Sequence, residues 1–289
     1  MKKATLAALL TGLMVVSVNP AHAEEPKTIA IIDTAIDSSR MTNVVYEACF
    51  TLNKTCKNGA SFDEGKGSAS INDWKIKGAL HGFSMAQAAL QADPNIKIVF
   101  VRISDEKVYD TFSIIRNDGG SLARATEWVS NNAARLNISA VSISQSRSNF
   151  AVGTCPSDAL FESSVKKLKL TNVPTFVATG NDSKKNQIGF PACVPGVYSV
   201  ASMDSKKNVV KSSNINATTS LLAPSCFSNT DNGACVEVKD YFGVSRAISG
   251  TSAATVLAAT FSVNQNKSGS IDTFLQSLPK NGVYTYISK

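Results

Sequence analysis

Apolar and polar positions along the chain fall into an alternation of short apolar runs and longer stretches of helical spacing. Residues 28–32 are apolar and mostly β-branched and run into Asp33, which predicts a buried strand of a parallel sheet. A second buried strand is predicted over 96–103. A third is expected over 138–144, where apolar and polar positions alternate, and two more over 173–179 and 196–203. Between them, Gly78-Ala79-Leu80-His81-Gly82 opens a helical segment over 83–91. Residues 121–135 place Leu122, Ala125, Val129 and Ala133 on one side of a helix, and 159–170 reads as another. Residues 42–73 are polar, carry Gly59, Gly65 and Gly67, and read as loop. Residues 204–248 read as turn-rich, with an apolar island at 221–224. Strands alternating with helices predict an α/β fold with a mainly parallel sheet, and no repeat, low-complexity tract or linker divides it.

The first residues stand outside this pattern. Lys2 and Lys3, an apolar core over 6–18 and Ala21-His22-Ala23 have the layout of a secretory signal peptide. The domain plan is therefore a signal peptide over 1–23 and one domain over 24–289. No other run is long and apolar enough for a membrane span. The formal charge of +7 falls to +5 without Lys2 and Lys3, and no dense basic block with interleaved aromatics points to nucleic acid. The six cysteines are Cys49, Cys56, Cys155, Cys193, Cys226 and Cys235. An even count in an exported chain predicts three disulfides. Cys49 with Cys56 and Cys226 with Cys235 read as local staples, leaving Cys155 with Cys193. Export would leave His81 as the one histidine, which excludes a multi-histidine zinc site. Secretion or a periplasmic location follows from the same features.

The candidate chemistry centres on Ser249-Gly250-Thr251-Ser252-Ala253-Ala254-Thr255, which leads into an apolar helix. The Ser252 hydroxyl would lie at a helix N-terminus, where free N–H groups favour developing negative charge. Asp33 ends a buried strand, and functional groups of open α/β sheets collect at such ends. His81 lies at a helix start, and Asn181 follows Gly180 at the end of a strand. A serine needs a base, a neutral imidazole supplies one, and a carboxylate orients the imidazole. A side-chain amide with a backbone N–H can hold an oxyanion.

At these residues the chain resembles the subtilisin-like serine peptidases, the subtilases. Ile31-Ile32-Asp33-Thr34-Ala35-Ile36-Asp37 looks like the family's Asp motif, and His81-Gly82-Phe83-Ser84-Met85-Ala86 like its His motif. Ala178-Thr179-Gly180-Asn181 is similar to the oxyanion motif. Phe190-Pro191-Ala192 and Val197-Tyr198-Ser199-Val200-Ala201 resemble the segment after it, and Ser249-Gly250-Thr251-Ser252-Ala253-Ala254 resembles the Ser motif. The blocks stand in family order across most of residues 28–265. Ala35, Phe83, Ala253 and Val256 depart from the usual residues without removing a reactive group. The family's Ser-Leu-Gly-Gly substrate strand appears as Ser144-Gln145-Ser146-Arg147, so side chains replace both glycines, and Gly189 matches a residue lining the primary specificity pocket.

The resemblance implies a three-layer subtilisin-like fold and a serine endopeptidase. Asp33, His81 and Ser252 would form the triad, Asn181 the oxyanion donor, and Ser144, Gln145, Ser146 and Gly189 the substrate-binding set. The chemistry calls for no cofactor, and structural calcium stays open. Only residues 24–32 would precede Asp33, which leaves no room for the family's folding propeptide. That is the arrangement of some subtilase toxin subunits, and it brings in a folding helper in trans or a delivery subunit. The two rivals are such a toxin-type enzyme with a narrow substrate and a binding protein on a decayed peptidase scaffold.

Overall fold

The computed structural model describes residues 26–76, 78–108, 113–117, 119–155, 158–225, 236–267 and 269–288. The signal-peptide segment and the pair Cys226 and Cys235 lie outside the described residues. In chain order the first half holds β1 (Thr28–Asp33), β2 (Val44–Phe50), β3 (Phe62–Glu64), α1 (Leu80–Ala92) and β4 (Lys97–Arg102). The hairpin β5 (Ser104–Val108) and β6 (Ser113–Asn117), α2 (Gly119–Asn132), β7 (Ile138–Ile143) and β8 (Arg147–Ala151) follow. The second half holds α3 (Ala159–Leu170), β9 (Thr175–Ala178), β10 (Ile188–Phe190), β11 (Tyr198–Met203) and β12 (Leu221–Pro224). It continues through the hairpin β13 (Val236–Lys239) and β14 (Ser245–Ile248), α4 (Gly250–Gln265), α5 (Ile271–Ser277) and a short hairpin of β15 (Lys280–Asn281) and β16 (Tyr284–Thr285).

The central sheet has eight strands in the order β12-β11-β9-β7-β1-β4-β2-β3, and every pairing but the edge pair β2 with β3 is parallel. β1 is buried along its whole length. Ile29 and Ile31 enter one core with residues of α1, α4 and α5, while Ala30 and Ile32 enter the opposite core with α2 and α3. Two apolar faces explain why this strand reads as a continuous apolar run. The result is three layers, helix, sheet and helix, as expected. α4 is apolar all round because it lies deep in its layer: Gly250 to Ser262 are buried, with Ser252 the exception.

One segment corrects the sequence reading. Residues 42–73 are not all loop, since they supply β2 and β3. Glu47 breaks the apolar run of β2, yet it is only 1% exposed. Its carboxylate accepts the N–H groups of Gly67 at 2.7 Å and Ala69 at 3.2 Å, so its burial is compensated. β7 forms where the alternation over 138–144 predicts a strand. Ser142 is fully buried, a polar residue small enough to fit between sheet and helix. Two disulfides form as anticipated, Cys49–Cys56 and Cys155–Cys193.

Candidate active site

The strand order reverses between β1 and β7. The chain places β4 and β2 on one side of β1, then crosses to β7, β9 and β11 on the other. A crevice opens at the carboxyl ends of strands that part in this way. Asp33 ends β1, Ser144 follows β7, and Gly180-Asn181 follow β9. The sequence delivers these residues to one end of the sheet because each comes at the end of an apolar, buried run.

Asp33 is fully buried, and its Oδ1 accepts the Thr34 N–H at 2.6 Å. The same oxygen lies 2.7 Å from His81 Nδ1, so the ring proton sits on Nδ1 and Nε2 keeps its lone pair. His81 is in the first turn of α1, with its side chain 34% exposed. Thr34 ties the two elements together: its hydroxyl donates to the Ala79 carbonyl at 3.2 Å and accepts the Gly82 N–H at 2.9 Å. Gly82 is required for this approach, since a Cβ there would come within 2.6 Å of Phe100 and 2.7 Å of the Ala35 carbonyl. Burial, the largest single influence on His81, favours the neutral ring; the Asp33 charge and hydrogen bond outweigh it, and the net shift is upward.

Ser252 occupies the first turn of α4, where backbone N–H groups have no intrahelical acceptor. Its Oγ donates to the Ser144 carbonyl at 3.2 Å, and Ser144 Oγ donates back to the Ser252 carbonyl at 3.0 Å. Among the described residues no hydrogen bond joins Ser252 Oγ to His81. Asn181 is exposed, and its Oδ1 accepts the Thr251 N–H at 2.9 Å and the Thr251 hydroxyl at 3.3 Å. That fixes the amide, and its NH₂ group donates no hydrogen bond among the described residues. Thr251 Oγ1 also accepts the Gly180 N–H at 3.2 Å.

The substrate-strand residues divide. Ser144 holds Ser252, whereas Gln145 Nε2 reaches Asp33 Oδ1 at 3.1 Å. Ser146 Oγ lies against two glycines: a Cβ at Gly189 would fall 2.2 Å from it and one at Gly180 2.7 Å from it. β8, which begins at Arg147, pairs antiparallel with β10, which contains Gly189.

Three residues here make contacts that the sequence does not mark. Gln145, expected in the substrate-binding set, touches Asp33, a contact that its place in the chain does not announce. Thr251 stands within the Ser motif, and its grip on Asn181 shows only in the fold. Asn214 is fully buried although it lies in a stretch that reads as polar and turn-rich. Its Oδ1 accepts the N–H groups of Asp182 at 2.9 Å and Lys184 at 3.0 Å, and its Nδ2 donates to the Thr179 carbonyl at 3.1 Å and to Asp182 Oδ2 at 3.0 Å. It therefore braces the loop that presents Asn181. Among the described residues no group of three or more His, Cys, Asp and Glu side chains can hold a metal ion, and no helix is long and apolar enough to cross a membrane.

A partly exposed imidazole held by a buried carboxylate, a hydroxyl at a helix N-terminus and a fixed amide are the groups that acyl transfer needs. The chain belongs to the subtilase family, whose sequence model matches residues 26–265. No curated protein matches the sequence. By structure it is similar to the nisin leader peptidase from Lactococcus lactis, with a TM-score of 0.67, 16% identity, and 91% of this chain and 86% of that one covered. It is also similar to a prenylagaramide maturation protease, with a TM-score of 0.60, 18% identity and coverage of 89% and 86%. A cold-adapted subtilisin-like serine proteinase gives a TM-score of 0.59, 20% identity and coverage of 89% and 83%. At these identities the likeness is one of fold.

Proposed function

We propose that the protein is an exported serine endopeptidase that hydrolyses peptide bonds through Ser252, His81 and Asp33. Ser252 Oγ leaves the Ser144 carbonyl by rotation about its χ1, gives its proton to His81 Nε2 and attacks the peptide carbonyl. Asp33 holds the imidazole in the required tautomer and stabilises the imidazolium. His81 then protonates the leaving amine, and water repeats the sequence to release the acyl group. Asn181 Nδ2 and the Ser252 N–H stabilise the oxyanion. The observation that carries this reading is the 2.7 Å bond between Asp33 and His81 at the crevice that also holds Ser252.

The narrow-substrate version is favoured by Ser146. On the reading of Gly189 as pocket lining, the Ser146 hydroxyl takes up the room a substrate side chain would enter. Small residues are then favoured before the scissile bond. Export is supported by the two disulfides and by the signal-peptide pattern over 1–23.

A fluorophosphonate probe tests the reaction class. It should label the wild-type protein at Ser252 and leave folded Ser252→Ala and His81→Ala unlabelled. Peptide turnover by Ser252→Ala should fall on the order of a million-fold. A folded wild-type protein that resists the probe would instead be a binding protein on this scaffold.

A further inference from the structure

We propose that Gln145 is a positioning residue of this site, whose side-chain amide clamps the Asp33 carboxylate that holds His81. The proposal rests on the triad reading above and goes beyond it by assigning a fourth side chain to the proton-transfer unit.

Three donors converge on Asp33 Oδ1: the Thr34 N–H at 2.6 Å, His81 Nδ1 at 2.7 Å and Gln145 Nε2 at 3.1 Å. Asp33 Oδ2 is buried and accepts no hydrogen bond among the described residues. The orientation of the carboxylate is therefore set at one oxygen. Thr34 fixes it from the backbone of the same turn, and Gln145 fixes it from across the crevice, 112 residues away in sequence. A hydrogen bond to an ionised group is among the stronger ones available to a neutral side chain.

Ser144 shows why this position matters. Its hydroxyl and carbonyl grip Ser252, while the next residue grips Asp33. The dipeptide after β7 thus holds both the nucleophile and the orienting acid, and sets their separation. Gln145 also draws on the charge that Asp33 offers to His81. Without it, the imidazolium faces a less solvated carboxylate and keeps its proton to higher pH.

The test uses Gln145→Met, which keeps the length and removes the donor, and Gln145→Glu, which sets a second carboxylate against Asp33. The maximal rate of fluorophosphonate labelling at Ser252 should drop on the order of tenfold in Gln145→Met. The half-saturating probe concentration should change little, and the acid limb of the labelling rate should move to higher pH. His81 is followed by NMR in the unreactive Ser252→Ala background, where its titration midpoint should rise in Gln145→Met and rise further in Gln145→Glu. Should Gln145→Met fail to fold, the Gln145→Glu midpoint carries the test. An unmoved midpoint, with any loss confined to probe binding, overturns the proposal. The triad reading is judged separately, by wild-type labelling at Ser252, and would survive that result.

Discussion

Asn181 and Gly250 are in direct contact: a Cβ on Gly250 would come within 2.9 Å of Asn181 Oδ1 and 3.1 Å of Nδ2. Gly250 also has φ +85°, a conformation that L side chains rarely adopt. The glycine ahead of Ser252 therefore serves two needs. It starts α4 in a left-handed turn and leaves room for the amide that Thr251 fixes.

Gly250→Ala should accordingly damage both stability and turnover. The backbone term alone is about 1–2 kcal/mol, and the displaced Asn181 adds a loss of rate. Thermal unfolding and probe labelling measure the two effects. A variant of wild-type stability and rate would show that neither the turn nor the contact matters.

On the proposed oxyanion role, in which the amide meets charge that appears only in the transition state, Asn181→Ala should lower turnover roughly a hundred- to a thousand-fold with little change in substrate affinity. Steady-state kinetics separate the terms. A rise in KM at constant kcat would make Asn181 an ordinary binding residue.

Asn214→Ala removes the brace beneath Asn181. It takes the shared acceptor from two part-buried backbone donors, on Asp182 and Lys184, and water recovers part of the loss, so each costs at most about 1 kcal/mol. Lowered unfolding temperature together with reduced labelling at Ser252 is expected. Full activity in a destabilised variant would confine Asn214 to the fold.

Ser146→Gly should widen the side-chain preference before the scissile bond. A peptide library read by mass spectrometry should show larger residues accepted while small ones are still cut. An unchanged profile would remove Ser146 as the limit on substrate size.

The fold was legible where burial imposes a simple pattern. β1 has to be apolar on both faces, and α4 on all sides, so each announces itself. Asp33 and His81 were legible for the same reason, as they interrupt or flank such runs, and the structure brings them to 2.7 Å. β2 was hidden because Glu47 looks solvent-facing until the N–H groups of Gly67 and Ala69 are brought to it. The contacts of Gln145 and Asn214 were hidden because they form only across the fold. In sequence each is a polar residue in a polar stretch, and no local spacing marks the carboxylate or loop it will meet.

The pH dependence follows from His81. Burial lowers its affinity for a proton, but the Asp33 charge and hydrogen bond prevail, so its folded pKa lies above the ordinary value near 6.5. The charged pair thus stabilises the fold. That contribution is fully present below the unfolded pKa and is lost as pH rises through the folded value. On the proposed mechanism reactivity runs the other way, because only the neutral ring can accept the Ser252 proton, and the acid limb should be centred above 6.5. Asp33→Asn removes the charge that raises His81. In that variant the His81 midpoint should fall, and the stability gained at low pH relative to neutral pH should shrink. NMR titration of His81 in the Ser252→Ala and Ser252→Ala/Asp33→Asn proteins reads the first effect, and thermal unfolding across pH reads the second. A midpoint below 6.5 with Asp33 intact would mean that burial prevails over the carboxylate, and the acid limb would then lie below 6.5 as well.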